Sequence, residues 1–188
     1  MHDGLLKEAL EAGELTADIR RRTAAAVVAE AENDAAVVLC TCSTVGPGAD
    51  DAARMTAAKI MRIDRPMAEA AVRMGKRIGV AATVSTTLEP TLELLSQAAA
   101  EAGAEVDLRP VIYDGARDKL MAGDTENYVR IIADGLHRTA LESDVIVLAQ
   151  ASMAPALEAC ADIEVPILTS PRSGFEAAIA AYKAISTT

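Results

Sequence analysis

Cys42 is the residue of this chain best placed by type and neighbours to do chemistry. It follows a hydrophobic run, Ala-Ala-Val-Val-Leu-Cys-Thr, and opens a Cys-Ser-Thr-Val-Gly-Pro-Gly segment ahead of an alanine-rich stretch of helical period. A thiol between a strand end and a helix start lies near backbone N–H groups and the positive end of the helix. Both favour thiolate over the free value of about 8.5, and a thiolate is a nucleophile and a base. The plainer alternative is a small buried residue, which is the reading for Cys40 two positions earlier. A second cluster, Thr83, Ser85, Thr86 and Thr87, stands where another hydrophobic run ends and a helical one begins. Hydroxyls and helix-terminal N–H groups there suit a carboxylate or phosphate, although N-capping by Thr86 or Thr87 would use one of them.

These residues need elements to hold them. Short β-branched runs at residues 36–41, 59–63, 77–83, 105–113, 144–149 and 165–169 read as strands. They alternate with helical runs at 5–12, 16–32, 50–58, 66–74, 87–102, 124–141, 154–160 and 174–185. That alternation predicts an α/β fold with parallel sheet, in which ligands bind beyond the carboxyl ends of the strands. Gly13, Gly75 and Gly103 fall where helices should stop.

The chain also resembles itself. A shift of 108 residues lays Val37 to Ala52 over Val145 to Cys160, pairing Val37 with Val145, Thr44 with Ser152 and Pro47 with Pro155. A shift of 107 matches Glu69-Ala70-Ala71-Val72 to Glu176-Ala177-Ala178-Ile179, and one near 111 puts Asp3-Gly4 over Asp114-Gly115. Three matches in order at nearly one offset predict two pseudo-symmetric βα half-domains, residues 1–75 joined by the helix 174–186, and residues 76–173. Residues 77–113 have counterparts that would precede Met1, so the first half is expected to be incomplete. Gln150, Ala151 and Ser152 then occupy the places of Cys42, Ser43 and Thr44, and a symmetric pocket would have a thiol on one side and an amide on the other. Ser170, Pro171 and Arg172 could add an anion contact, and Asp64 and Arg65 could face the same crevice or cap the helix that starts at Pro66.

Composition narrows the partners. The 188 residues carry 18 Lys and Arg against 28 Asp and Glu, a net charge of -10, and 40 Ala against one Phe and no Trp. Such a chain repels phosphate backbones and lacks aromatic platforms, so nucleic acid is not expected, and the run Arg20-Arg21-Arg22 reads as a solvated helix face. No segment has the roughly 20 apolar residues a membrane span needs. Three cysteines without framework spacing fit a reducing cytoplasm, and with His2 and His137 the only histidines, no metal is expected. There is no GxGxxG or GxxxxGK[ST] to hold a nucleotide. A half-sheet with an uncovered edge predicts a homodimer.

The segments CTCSTVGPG, MRIDRPMAEAAV, RIGVAATVSTTLEPT, DVIVLAQASMAP and VPILTSPRSGFEAA together resemble the aspartate/glutamate/hydantoin racemase superfamily, which includes arylmalonate decarboxylases and maleate isomerases. Cys42-Ser43-Thr44 after a strand is similar to that family's C-N-T, and Ala82-Thr83 through Thr86 to its G-T-x-x-T. The resemblance implies two α/β halves with the active site between them, no cofactor, and proton transfer at the α-carbon of a small carboxylate. Cys42 would be acid/base, with Ser43, Thr44, Thr83, Thr86, Gln150 and Ser152 as substrate-binding groups. The family's racemases use one cysteine from each half on opposite faces of the carbon. Here Gln150 or Ala151 stands at the second cysteine's place and Cys160 comes two helical turns too late. A single-cysteine decarboxylase or cis–trans isomerase of a small diacid, or a non-catalytic small-acid binding protein, are therefore further readings.

Overall fold

A computed structural model describes residues 3–186, so His2 lies outside the described residues. In chain order the elements are α1 (Asp3–Ala12), α2 (Ala17–Ala31), β1 (Val37–Cys40), α3 (Gly46–Ala53), β2 (Lys59–Arg62), α4 (Arg65–Met74), β3 (Arg77–Ala82), α5 (Ser85–Ala102), β4 (Asp107–Ile112), α6 (Ala116–Met121), α7 (Thr125–Ala140), β5 (Val145–Leu148), a 3-10 helix (Ala151–Cys160), β6 (Ile167–Thr169) and α8 (Ser170–Ser186). All strand pairs are parallel, in a two-stranded sheet β1-β2 and a four-stranded sheet ordered β4-β3-β5-β6. The α/β class and the parallel sheets are as the alternation predicts.

The four-stranded sheet is covered on both faces, which is why its inner strands are continuous apolar runs. Side chains alternate between two cores. Ile78, Val80 and Ala82 of β3 and Val145 and Val147 of β5 join α4 and α5 on one side, while Ala81, Ile146 and Leu148 join Tyr128, Ile132 and Leu136 of α7 on the other. Local chemistry sets the ends of the helices. Thr16 caps α2 by accepting from the Ile19 N–H at 3.3 Å, Asp124 caps α7, and Gly103 ends α5 in the left-handed conformation at φ 63°.

Several boundaries differ from expectation. The helix expected at 50–58 is α3, which begins at Gly46, because Pro47 lacks only an N–H that a first turn leaves unbonded. Gly48 lets α3 lie against α2, since a Cβ there would be 2.6 Å from Thr23. α5 starts at Ser85, two residues early, with Val84 at the cap and no side-chain cap bond, so neither Thr86 nor Thr87 acts as N-cap. α8 likewise starts at Ser170, the segment 154–160 belongs to a 3-10 helix rather than an α-helix, and α6 was not foreseen. The arginine run is also divided. Arg21 and Arg22 pair with Asp18 and Glu8 at the surface, but Arg20 makes a two-pronged bond to Asp51 at 2.6 and 2.9 Å that ties α2 to α3.

Asp144, just ahead of β5, holds the start of β3. Its carboxylate accepts from the Arg77 N–H at 2.8 Å, the Lys76 N–H at 3.1 Å and the Arg77 guanidinium at 2.6 and 2.9 Å. The Arg77 side-chain bonds, then its backbone N–H, hold the carboxyl down to about 2 from an ordinary 3.8. A depressed folded value stabilises the fold above the ordinary value and fades as the pH falls toward about 2. Thermal melts of Asp144→Ala should therefore lie below those of the parent protein at pH 7, and the gap should close as the pH is taken down to about 2.

Candidate active site

The loop 41–45 leaves the carboxyl end of β1. Its start is pinned by the Ile63 N–H, which donates to the Cys40 carbonyl at 2.9 Å, and its end by the Gly46 N–H, which donates to the Ser43 carbonyl at 3.1 Å. Beneath it lies a buried charge cluster. Arg62, 4% exposed, donates to both oxygens of Asp64 at 2.9 Å, to Asp50 at 2.8 Å and to the Pro90 carbonyl of α5 at 3.4 Å. Burial pulls the guanidinium down, but Asp64 and Asp50 outweigh it and hold it above its ordinary value. Gly46 sits against this guanidinium, with room for no Cβ: one built there would be 2.5 Å from Cζ. The cluster thus joins β2, α3 and α5 and seats the first turn of α3.

A cavity of about 270 Å³ opens above, lined from the carboxyl ends of strands in both sheets. After β1 come Thr41, Cys42, Ser43 and Thr44, and after β2 Ile63. Val84 and Thr87 follow β3, Ala149, Gln150 and Ala151 follow β5, and Ser170 follows β6, with Arg117 of α6 and Leu6 and Leu10 of α1 completing the wall. Of the three cysteines only Cys42 lines it. Cys40 turns to an apolar groove, where burial pushes its thiol up to about 11, and Cys160 is buried with its thiol also raised by burial.

The residues expected from sequence divide into three groups. Cys42, Ser43, Thr44 and Gln150 face the one cavity. Thr83 stands behind it, donating its N–H at 2.6 Å and its hydroxyl at 3.0 Å to Gln150 Oε1, and so sets which way that amide points. Thr86 and Ser152 do not reach the cavity. The helix that starts at Ser85 turns about 100° per residue, so Thr87, not Thr86, faces the cavity and bonds Thr44 Oγ1 at 2.9 Å. Thr86 lines a separate cleft beside Arg20 and Pro47, its buried Oγ1 without a partner. Ser152 is one step of a tight 3-10 turn past Ala151, faces outward and accepts from the Tyr128 hydroxyl at 3.1 Å. Ser170 lines the cavity while Arg172 is exposed on α8. Asp64 is committed to Arg62, and Arg65 pairs with Glu69 and Glu101, so neither enters the crevice and Asp64 makes no cap bond.

Arg117 was not foreseen, and Thr87, part of the hydroxyl cluster, was not among the substrate-binding groups that the resemblance implies. Arg117 is the one charged side chain among the described residues of the wall. The self-comparison could have found it: the shift that lays Asp114-Gly115 over Asp3-Gly4 lays Arg117 over Leu6, and both line the cavity.

Known proteins can now be set beside this geometry. The profile of the Asp/Glu/hydantoin racemase family matches residues 6–178. The chain belongs to that family. Its fold is similar to glutamate racemase RacE1 from Bacillus anthracis, with TM-score 0.64 and 17% identity over 88% of this chain and 66% of that one. Allantoin racemase from Klebsiella pneumoniae gives 0.63 and 15% over 88% and 67%, and arylmalonate decarboxylase 0.53 and 16% over 88% and 76%. The chain thus spans about two thirds of the length of these racemases. No curated protein matches it in sequence.

The Arg62 cluster makes this family member's site testable apart from its chemistry. Arg62→Leu strands two carboxylates, one of them fully buried, and should lower unfolding stability in urea by about 3–5 kcal/mol, whereas Arg62→Leu with Asp64→Leu should regain much of that loss.

Proposed function

We propose that the chain moves a proton at the carbon next to the carboxylate of a small acid, with Cys42 as acid/base. The observation that carries this reading is the cavity wall: one cysteine, one cation and several hydroxyls around about 270 Å³, below the usual range for larger ligands. Arg117 would pair with the carboxylate, and Ser43, Thr44 and Ser170 would donate to it. The Cys42 thiolate would take the α-proton while the C–H electrons pass into an enolate, which the same donors stabilise as charge moves onto oxygen. Return of a proton from the thiol closes the cycle. Because the chain spans two thirds of its racemase relatives' length, substrate and outcome are part of the proposal.

Gln150 favours a second reading. A carboxamide neither takes nor gives a proton at neutral pH, and this one is fixed by Thr83 at the repeat position of Cys42. A single thiol then serves one face only, which suffices for decarboxylation, where loss of CO₂ leaves an enolate for Cys42 to protonate, or for cis–trans isomerisation of a diacid. In D₂O, with aspartate, glutamate, a 2-arylmalonate and maleate as probes, the proton-transfer reading expects Cα deuterium uptake by NMR that Cys42→Ser reduces at least about 100-fold. Uptake unchanged in Cys42→Ser would overturn the thiol's role, and CO₂ release or fumarate formation without uptake by the amino acids would replace it with the second reading.

A further inference from the structure

A separate cleft of about 600 Å³ shares the first turn of α5 with the candidate site: Val84 and Thr87 line the one, Ser85 and Thr86 the other. Its walls come from the link between α1 and α2 at Gly13, Glu14 and Leu15, from Arg20 of α2, from Pro47 of α3, and from α5 as far as Ser96. The proposed chemistry uses none of these residues. Thr86 is 5% exposed, and its Oγ1 is the one buried side-chain oxygen or nitrogen among the described residues that has no hydrogen-bond partner. A buried hydroxyl left unmet destabilises a fold, so where a native structure keeps one, its missing partner has to be accounted for.

Three exposed carboxylates line the same cleft, those of Glu14, Glu89 and Glu93. Glu14 and Glu89 have no ion-pair partner among the described residues, and Glu93 accepts only from the Gln97 amide at 3.2 Å. The one cation in this wall, Arg20, is already met by Asp51 through Nε and Nη2 at 2.6 and 2.9 Å. Negative charge is therefore in excess, which favours a cationic ligand over an anionic one. Glu89 and Glu93 stand at i and i+4 on α5, about 6 Å apart, and Ser85 and Ser96 continue their stripe at four- and three-residue steps. Among the described residues no three acidic, histidine or cysteine side chains come together as a metal site. The carboxylates thus suit separate charges along an extended ligand and not a single ion. Leu15, Pro47, Pro90 and Leu92 add apolar surface to the same wall, on which methylene groups can lie while charged ends reach the carboxylates.

We propose that this cleft binds an aliphatic polyamine, with ammonium groups on Glu14, Glu89 and Glu93, methylenes against the leucines and prolines, and one N–H donated to Thr86 Oγ1. An ammonium carries three donors and no acceptor, so carboxylates and the lone pairs of a hydroxyl meet its needs in full. Amines three or four carbons apart match the step of about 6 Å between neighbouring carboxylates on one helix face. The bound amine would tie the link between α1 and α2 to the start of α5. Thr87, next to Thr86 in that turn, bonds Thr44 of the candidate site at 2.9 Å, so the ligand would steady the turn that presents it. That last consequence rests on the proposed role of the cavity; the binding does not.

The test is isothermal titration of the full chain with spermidine at about 50 mM salt, where exposed charges are only partly screened. One saturable site is expected, with butylamine, which carries a single charge, binding at least about tenfold more weakly. Glu89→Gln with Glu93→Gln should weaken spermidine binding at least about tenfold. Glu126→Gln with Asp134→Asn on α7 makes the same change in net charge away from the cleft and should alter it less than about twofold. Thr86→Val removes the unmet hydroxyl and keeps its shape, so the variant should keep the circular dichroism of the parent, melt no lower, and bind at least about fivefold more weakly. No binding at about 1 mM spermidine overturns the proposal, as does binding that Thr86→Val leaves unchanged. Equal weakening by the two charge pairs overturns it too, by showing attraction to net charge alone. None of these readouts involves Cys42 or turnover, so failure of amine binding and failure of the proposed proton transfer are seen separately.

Discussion

Arg62 and its two carboxylates are the constraint on which the rest of the site depends. A guanidinium taken out of water costs several kcal/mol unless its donors are met. Here they are met by Asp64 on the same chain turn, by Asp50 of α3 and by a carbonyl of α5. Satisfying one buried cation therefore fixes three elements against one another. Because Gly46 lies directly on the guanidinium, the first turn of α3 has one place to sit, and the loop that carries Cys42 is held at both ends, by Ile63 and by Gly46.

A parallel sheet does the complementary part. Every strand in both sheets points the same way as its neighbours, so all strand-to-helix links gather at one end, and links from five strands line a single cavity. That geometry brings residues 42, 87, 117, 150 and 170 together across almost 130 positions of sequence, and the repeat gives them an approximate symmetry. The symmetry is broken where chemistry would need it kept. A thiol at 42 faces an amide at 150, and a leucine at 6 answers an arginine at 117.

Much of this was legible in the sequence because it rests on short-range patterns. Period-2 and period-3.6 runs place the strands, and all eight expected helical runs meet a helix. The 108-residue offset brings Cys42 and Gln150 to equivalent places, where they do share a cavity. What misled was rotation about a helix axis. Moving the start of α5 from 87 to 85 exchanges Thr86 for Thr87, and a 3-10 turn swings Ser152 outward to Tyr128. Asp64 and Arg65 looked available because nothing local reveals that Arg62 is buried and needs a carboxylate.

The sequence by itself determined the α/β class and the place of Cys42 at a strand end, which follow from periodicity along the chain, while its motifs carry the family resemblance and its self-similarity points to two related halves. Only the tertiary structure decided which hydroxyls face the cavity, that Arg117 is its cation, and that Thr83 acts through Gln150. Those depend on helix phase and on contacts between elements far apart in sequence, and a difference of one or two residues at a helix start is enough to turn a side chain to the other side.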